Sequence, residues 1–376
     1  MRIVVAPDSY KGSISSIEAC NIMRDGINSI FPEAKVTLKP MADGGEGTLD
    51  SLVNATNGKK IPITCTGPLG KSMHTEYGLI NGNTAVIECA AIAGLTQVPV
   101  ELRNPDNTTS YGLGEAITDA LDRECTEIII GLGGSAVNDA GLGLLVALGM
   151  KALNESGDII GYFGRNLQEI SSVDTSRLDS RLSSVSIKVA CDVDNPLCGK
   201  RGATYVYGPQ KGATDDRLEP YDQAIKKYAN LIEEKVGGSY KELPGAGAAG
   251  GLGFALLALG AEIVPGARFI ADVMNVEGAI SDADLVFTGE GQSDEQTLYG
   301  KAPGYVASLA NKYNVPVILL SGGLSGDLKE LGRQFTACFS ITNRPLSLEE
   351  SIERSKELLY EQTRQILKLI TSVRSL

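Results

Sequence analysis

The sequence is poor in residues on which several classes of enzyme depend. Its 376 residues include a single histidine, His74, which argues against a Ser-His-Asp hydrolase and against a metal site built on several histidines. We expect His74 to be a surface or structural residue. The seven cysteines are odd in number and form no CxxC pair, so we expect reduced thiols in the cytoplasm rather than disulfides.

Positive charge and long apolar runs are also scarce. Lysine and arginine number 34 against 46 aspartates and glutamates, and no basic stripe carries interleaved aromatic residues. We therefore expect neither a nucleic acid nor a membrane as partner. The most apolar stretches, residues 131–150 and 251–264, are interrupted by polar residues or too short to span a bilayer. The run at residues 1–6 lacks the apolar region of a signal peptide.

Glycine, by contrast, is abundant, with 44 residues where roughly 7% is usual. It is concentrated in four runs, ADGGEG at 42–47, GLGGS at 131–135, GAGAAGGLG at 245–253 and TGEG at 288–291. Three of these runs precede a predicted helix, an arrangement in which backbone N–H groups bind phosphate. Tight turns and helix packing are the alternative for any single run. Four runs flanked by acids or hydroxyls favour ligand binding.

The sequence lacks two familiar nucleotide-binding motifs. Residues 245–250 match GxGxxG, but the preceding residues 239–244 are polar and end in proline, so the strand of a dinucleotide fingerprint is missing. No acidic residue follows in a strand about twenty positions later, and no Walker A motif occurs. These absences argue against a nicotinamide oxidoreductase and against a P-loop enzyme.

The order of predicted elements indicates an α/β protein with two domains. A strand at 2–6, a helix at 15–30, a strand at 36–38 and a helix at 48–56 form a βαβα pattern, which is typical of a parallel sheet. We predict a discontinuous Rossmann-like parallel-sheet domain and an inserted mixed α/β domain. The first comprises residues 1–64 and 265–376, and the second residues 65–264.

The predicted helices and strands that support this division follow from apolar spacing and turn residues. Ser15 and Glu18 form a candidate capping box for the first helix. Alternating strands with a hairpin turn at 81–83 characterise the inserted part. The further predicted strands are 61–66, 75–80, 84–88, 127–132, 187–191, 284–288, 316–320 and 336–341, and the further helices are 109–123, 218–236, 302–313 and 347–370.

Polar side chains follow the first predicted strand, at the sheet edge where ligands bind in open α/β folds. Lys11 could neutralise phosphate charge, with Ser9 and the backbone beside it. The alternative is that Asp8 and Ser9 form a turn and that Lys11 is solvated. Asp43 and Glu46 flank glycines before a helix, a position where acids also act as caps.

Later strand ends carry further candidates. Ser135 and Asn138 can donate to a phosphate or a hydroxyl, whereas Asp139 could simply cap the next helix. Asp192 could orient or deprotonate a substrate hydroxyl, a role left to Asp or Glu in a chain with one histidine.

The segment after the strand at 284–288 offers oxygen ligands. Glu290 and Asp294 could share a Mg²⁺ ion, and Lys301 lies just beyond them in sequence. Glycine loops, isolated lysines and strand-end carboxylates together suit phosphoryl transfer, which needs positioning and charge rather than a nucleophilic triad. The residues alone therefore favour a magnesium-dependent small-molecule kinase without a P-loop. A non-catalytic metabolite sensor is the alternative.

The chain carries a series of motifs, in order APDSYKG at 6–12, MADGGEG at 41–47, GLGGS at 131–135 with Asn138 and Asp139, CDVDNPL at 191–197, GAAGGLG at 247–253, TGEG at 288–291 through Asp294, and GK at 300–301. Taken together, these motifs resemble the bacterial type I glycerate kinase family. Tyr10 and Val137 stand where Phe and Thr are also common in that family.

The resemblance implies a two-domain fold with the active site in the cleft between the domains. It implies phosphorylation of D-glycerate with ATP and Mg²⁺ as cofactors, with 2-phosphoglycerate favoured over 3-phosphoglycerate. Phosphorylation of a related hydroxy acid is the nearest alternative. The chain is expected to be a monomer or a homodimer.

Motif position and charge assign the expected roles. Lys11, Asp192 and Asp294 are the candidate catalytic residues, and Glu290 with Asp294 the candidate metal ligands. Substrate or phosphate contacts are expected at Asp8, Ser9, Asp43, Gly44, Gly45, Glu46, Gly133, Gly134, Ser135, Asn138, Asp139, Gly250, Gly251, Gly289 and Lys301.

Overall fold

The computed structural model describes residues 1–298 and 300–374, so residue 299 and the last two residues of the predicted 265–376 segment lie outside the described residues. Strands and helices alternate, which confirms the predicted α/β class. The strands are β1 (Arg2–Val5), β2 (Lys35–Leu38), β3 (Lys59–Thr66), β4 (Ser72–Ile80), β5 (Thr84–Glu88), β6 (Glu127–Gly131), β7 (Lys151–Leu153), β8 (Ser172–Asp174), β9 (Ser186–Ala190), β10 (Glu262–Val264), β11 (Leu285–Thr288), β12 (Gln292–Ser293), β13 (Val317–Ser321), β14 (Gly323–Leu324) and β15 (Ala337–Ser340).

Most of the described α-helices come after a strand in the chain. They are α1 (Ser16–Ile30), α2 (Thr48–Ala55), α3 (Cys89–Ala93), α4 (Tyr111–Asp122), α5 (Leu142–Ala147), α6 (Ala203–Tyr207), α7 (Asp215–Val236), α8 (Ala248–Ala258), α9 (Gly266–Val273), α10 (Val276–Ser281), α11 (Ala302–Lys312), α12 (Leu328–Gln334), α13 (Leu348–Glu353) and α14 (Ser355–Arg374). Among the described residues, none of these helices is long and apolar enough to cross a membrane.

The chain forms two compact units. The first unit contains Met1–Asp43, Asp50–Ala55 and the residues from Ala267 onward, and the second contains Gly44–Leu49 and Thr56–Gly266. The sequence-based division at residues 64 and 265, the Rossmann-like character of the terminal domain and a cleft between the domains stay predictions.

The sheet of the first unit has the strand order β15-β13-β11-β1-β2, and every pairing in it is parallel. Strands β11 and β13 read LVFT and VILLS and are buried along their whole length, as expected for parallel strands covered on both faces. Because all strands run the same way, the loops after β1, β2, β11, β13 and β15 share one edge. The predicted site residues of this unit lie in those loops.

Helices α1 and α14 show why the termini of the chain pack together. A Cβ at Gly26 of α1 would lie 3.1 Å from the carbonyl oxygen of Tyr360 in α14, so the glycine allows close approach. Ser15 caps α1 by accepting the N–H of Glu18, as predicted. The helix predicted at 347–370 is instead two helices, because α13 ends at Glu353 before α14 begins.

The main sheet of the second unit has the order β10-β9-β6-β5-β4-β3. Strands β5, β6, β9 and β10 pair in parallel, whereas β3, β4 and β5 pair antiparallel, which confirms the predicted hairpin. The carboxyl ends of the four parallel strands again share one edge. That edge carries the remaining site candidates.

Candidate functional site

Charged residues at the carboxyl edge of the first sheet come from four separate loops. We call Asp8, Lys11, Asp43, Glu290 and Lys301 the strand-end cluster. The ammonium of Lys11 lies 3.2 Å from Oδ2 of Asp43, and that of Lys301 lies 3.7 Å from Oε2 of Glu290. The structure therefore pairs predicted residues that are distant in sequence.

Asp8 is the most perturbed member of the strand-end cluster. It is only 3% exposed, its Oδ1 accepts the N–H of Ser9 at 2.6 Å, and its own N–H donates to the carbonyl of Gly289 at 2.8 Å. Burial, followed by repulsion from Asp43 and Glu290, raises the pKa of the Asp8 carboxyl to about 8. The Asp8 carboxyl is therefore mainly protonated at neutral pH, and a bound cation would favour its ionised form.

Glu290 is fixed by hydroxyl groups. Its Oε1 accepts hydrogen bonds from Ser293 at 3.0 Å and from Thr297 at 2.7 Å. Its Oε2 is the oxygen that faces Lys301. The next acid, Asp294, accepts the N–H of Gln296 at 2.9 Å and begins the 3₁₀ turn Glu295–Leu298. Rotation of the Glu290 carboxylate is therefore restricted.

A cavity of about 610 Å³ opens in the first unit, within the range of small-molecule sites. Ser9, Lys11, Glu290, Asp294 and Lys301 line it together with apolar side chains. The apolar lining consists of Ile341, Leu346, Leu348 and Ile352. Charged groups and an apolar surface thus meet in one cavity.

The sequence analysis overlooked part of this lining. Gly322 and Gly323 follow β13 and line the cavity, and the N–H of Gly323 donates to the carbonyl of Gly291 at 3.0 Å. The strand-then-glycine signal was present at this position. The apolar part, which includes Leu348 at 78% exposure, carries no comparable signal.

The donor set suits a magnesium ion that also has ligands from outside the protein. Within the described residues, no three His, Cys, Asp or Glu side chains are arranged to hold a metal ion on their own. Mg²⁺ commonly takes one or two carboxylates and completes its shell with water and phosphate oxygens. Glu290 and Asp294 both line the cavity, so they fit that pattern. Their role as ligands stays a prediction.

Glycine turns in the second unit permit close backbone packing. Gly44 has φ of 87° and a Cβ there would clash with the carbonyl oxygen of Ala190, while the N–H of Gly133 donates to the carbonyl of Gly44 at 3.1 Å. Gly250 has φ of 71°, and its Cβ would clash with the carbonyl oxygen of Val137. Gly251 of this unit and Gly289 of the first unit are similarly crowded. These contacts show the packing role that was the alternative to ligand binding.

The carboxylate oxygens of Asp139 accept hydrogen bonds from other groups of the chain. Its Oδ2 accepts the N–H of Ser110 at 2.8 Å and the O–H of Ser110 at 2.7 Å, and its Oδ1 accepts the N–H of Gly141 at 3.1 Å. It is fully buried, and burial raises the pKa of its carboxyl. This geometry matches the capping alternative for Asp139, although a binding role stays a prediction.

Asn138 and Asp192 differ in exposure. Asn138 is buried and donates to Thr204 at 3.0 Å, while its Oδ1 has no hydrogen-bond partner among the described residues. Asp192 is exposed, follows β9 and accepts the N–H of Gly266 at 2.7 Å. Asp192 is therefore positioned by the start of α9 but remains accessible. Of the other candidates, Glu46 and Gly134 are exposed and Gly45 is buried.

Two buried charges in the second unit were missed by sequence reasoning. Glu88 ends β5, is 6% exposed and accepts the N–H groups of Gly47 at 3.3 Å and Leu49 at 3.0 Å. It thereby orients the 42–47 run. Lys211 is 2% exposed and donates to Ser135. Glu88 could have been identified from the sequence, because it is a charged residue at the end of an apolar strand. No comparable sequence signal marks Lys211.

The histidine and the cysteines have structural roles. Nδ1 of His74 lies 3.0 Å from the hydroxyl of Thr64 on the paired strand, which confirms the expected role. All seven cysteines lie in the described part of the chain and none forms a disulfide there. The expectation of reduced thiols in the cytoplasm stays a prediction.

Comparison with known proteins extends the resemblance to the whole chain. The glycerate kinase of Bacillus subtilis (strain 168) is 47% identical over 369 residues, covering 97% of each chain. The glycerate 2-kinase of Escherichia coli (strain K12) is 43% identical with the same coverage. A crystal structure from Salmonella typhimurium LT2, provisionally named glycerate kinase 2, matches with a TM-score of 0.87 and 43% identity over 100% of both chains. Since the model of the glycerate kinase family also matches residues 3–371, the chain belongs to the glycerate kinase family.

Proposed function

We propose that the chain phosphorylates D-glycerate with ATP and Mg²⁺, giving 2-phosphoglycerate and ADP. The observation that carries the proposal is the cavity of the first unit, where Lys11, Lys301, Glu290 and Asp294 line the same space as Leu348. A nucleoside triphosphate joins an apolar base to a chain of charged phosphates, so this mixed lining suits it. Family membership supports glycerate as the acceptor, and the name of the Escherichia coli relative supports the 2-position.

The proposed step needs a base and positive charge. The C2 hydroxyl oxygen of D-glycerate bonds to the γ-phosphorus, the bond from that phosphorus to the β,γ-bridging oxygen breaks, and ADP leaves. Asp192 accepts the hydroxyl proton, which is the role of a general base. Lys11 and Lys301 neutralise charge that develops on the phosphate oxygens.

In this proposal, two carboxylates are the candidate ligands of the metal ion. Glu290 and Asp294 would hold Mg²⁺ beside the phosphates, where its charge stabilises the transferring group. The Lys301 contact keeps Glu290 oriented toward the cavity it lines. The cytoplasmic location of the protein and its state as a monomer or a homodimer also stay predictions.

The test is release of ADP from ATP and Mg²⁺ with and without D-glycerate, followed by ³¹P NMR of the product. Glycerate-dependent ADP and a phosphomonoester coupled to the C2 proton are the expected results. Coupling to the C3 protons would overturn the 2-position and leave the kinase. No ADP above background would overturn the acceptor, and a panel of 2-hydroxy acids would then identify the related substrate. EDTA should abolish turnover, and added Mg²⁺ should restore it.

A further inference from the structure

Lys211 is a buried cation in the second unit. It ends the turn Pro209–Lys211, and its ammonium donates to the hydroxyl of Ser135 at 2.9 Å and to the carbonyl of Val137 at 2.6 Å. Both acceptors are neutral, and Asp139 faces the ammonium without forming an ion pair with it among the described residues. An ammonium removed from water costs several kcal/mol unless an anion compensates it. The arrangement points to an anion from outside the protein.

The backbone turn next to Lys211 has N–H groups that could bind such an anion. The N–H of Leu95 donates to the carbonyl of Gly134, and the N–H of Ala136 donates to the carbonyl of Ala93, so the turn at residues 133–135 is fixed from both sides. Gly134 is exposed with φ of 74°. The N–H groups of Gly134 and Ser135 find no acceptor within the described chain. Consecutive unbonded N–H groups form anion-binding concavities.

The hydroxyl of Ser135 connects the two features. Because its oxygen accepts from Lys211, its proton remains available for an acceptor other than the lysine. A hydroxyl polarised by an ammonium is a stronger donor than an isolated one. Lys211 thereby strengthens the Ser135 hydroxyl as a hydrogen-bond donor at the turn.

We propose that the turn at residues 133–135 is an oxyanion subsite for the carboxylate of the hydroxy acid, with Lys211 as the positioning residue that polarises the Ser135 hydroxyl. The inference rests on the proposed function, which supplies both a carboxylate and phosphates as anions. Lys11 and Lys301 line the cavity assigned to the phosphates. The carboxylate is then the anion still lacking a cation.

Kinetics of Lys211→Met distinguish this role from a structural one. We expect the KM for D-glycerate to rise at least about tenfold, since a charge-assisted hydrogen bond is lost, while the KM for ATP stays within about twofold. Lys241→Met is the matched control, because Lys241 already has an anion partner in Glu233 at 2.9 Å. That variant should leave both KM values unchanged. A rise in the KM for ATP alone would assign the turn to a phosphate, and no change in either would overturn the proposal.

Binding measured without ATP makes the test independent of turnover and of the stability of Lys211→Met. Burial lowers the pKa of Lys211 to about 8, and Cys89 and Asp139 are the titratable groups that face it. Calorimetric titration of wild-type protein with D-glycerate should give a Kd about tenfold weaker at pH 9.5 than at pH 7. Lys211→Arg, whose guanidinium stays charged, should abolish that difference.

The outcomes separate the two proposals. Glycerate binding that weakens with pH but yields no ADP would overturn the kinase and support the subsite. Glycerate-dependent ADP with a Kd that is constant from pH 7 to pH 9.5 would support the kinase and overturn the subsite. No glycerate binding at either pH would overturn both.

Discussion

The two sheets of this chain use their carboxyl edges differently. In the first unit, Lys11 is exposed, Asp8 holds a strongly raised pKa, and both belong to a cluster lying at a cavity. In the second unit, the carboxylate oxygens of Asp139 and Glu88 accept hydrogen bonds from backbone N–H groups of the chain itself. Acidic residues at strand ends therefore lie beside lysines near a cavity in one unit and hold backbone loops in place in the other.

The physical difference lies in how many hydrogen bonds the chain satisfies internally. A carboxylate whose oxygens accept several N–H groups fixes a loop, whereas one repelled by neighbouring acids attracts cations. Substitutions should accordingly affect stability in the second unit and activity in the first. Asp192, exposed in the second unit, and Lys211 are the informative exceptions.

The largest expected effect is that of Gly250→Ala on stability. Its φ of 71° and the clash of a Cβ with the carbonyl oxygen of Val137 should together cost about 3–5 kcal/mol of unfolding free energy. Gly12→Ala is the matched control in the first unit, because φ is 81° but nothing lies within 4 Å of its Cβ. Only the backbone cost, about 1–2 kcal/mol, should remain there. Equal losses in urea unfolding would show that the packing of Gly250 is unimportant.

Two carboxylates of the second unit provide the next comparison. Asp192→Asn should keep its acceptor for Gly266, leave the fold intact and lower kcat by at least about 10²-fold. Asp139→Asn should place an amide against the donors of Ser110 and Gly141, which destabilises the fold by about 1–3 kcal/mol. Turnover and thermal unfolding of both variants provide the check. Near-normal turnover of Asp192→Asn would remove it from the role of base.

The sequence predicted most of the fold because apolar periodicity and capping residues are local signals. The helix begun by Ser15 and the apolar strand at 284–288 appear within one or two residues of the expected bounds. The break between α13 and α14 was missed, since the continuous apolar spacing there favours one long helix. Short elements such as β10 carry too few residues for a periodic signal.

The site was predictable only in part, because burial and partners are properties of the folded chain. Lys11 and Asp43 could be selected by residue type, and the structure places them 3.2 Å apart. The internal bonds of Asp139 depend on Ser110, which is far away in sequence and carries no motif. Lys211 appears in sequence like any surface lysine, and only its neighbours distinguish it.

Lys11→Met should separate activity from stability in the first unit. The Lys11 side chain, which pairs with Asp43, is 69% exposed. Loss of this ion pair should therefore change the unfolding free energy by less than about 0.5 kcal/mol. If Lys11 neutralises phosphate charge, kcat/KM should fall by about 10–10²-fold. Lys312→Met breaks the comparable surface pair with Glu277 at 2.6 Å and should leave activity unchanged. Equal activity in the two variants would contradict the role of Lys11.

The most specific effect concerns the proton on Asp8. The folded chain keeps it up to about pH 8, whereas the unfolded chain releases it near 3.8, so the folded state binds more protons between these values. The stability that Asp8 contributes is present below pH 4 and is lost as the pH rises to about 8. Asp8→Asn does not titrate, and its unfolding free energy should fall less between pH 5 and pH 8 than that of wild type.

Urea unfolding at those two pH values measures the difference, and Asp25→Asn, at an exposed position of α1, should keep the wild-type slope. Parallel behaviour of wild type and Asp8→Asn would mean that Asp8 is already ionised at pH 5. The crowding of negative charge around it would then be weaker than the geometry indicates. In that case the two sheet edges would differ in exposure alone, and the case for a cation at the first edge would rest on Glu290 and Asp294.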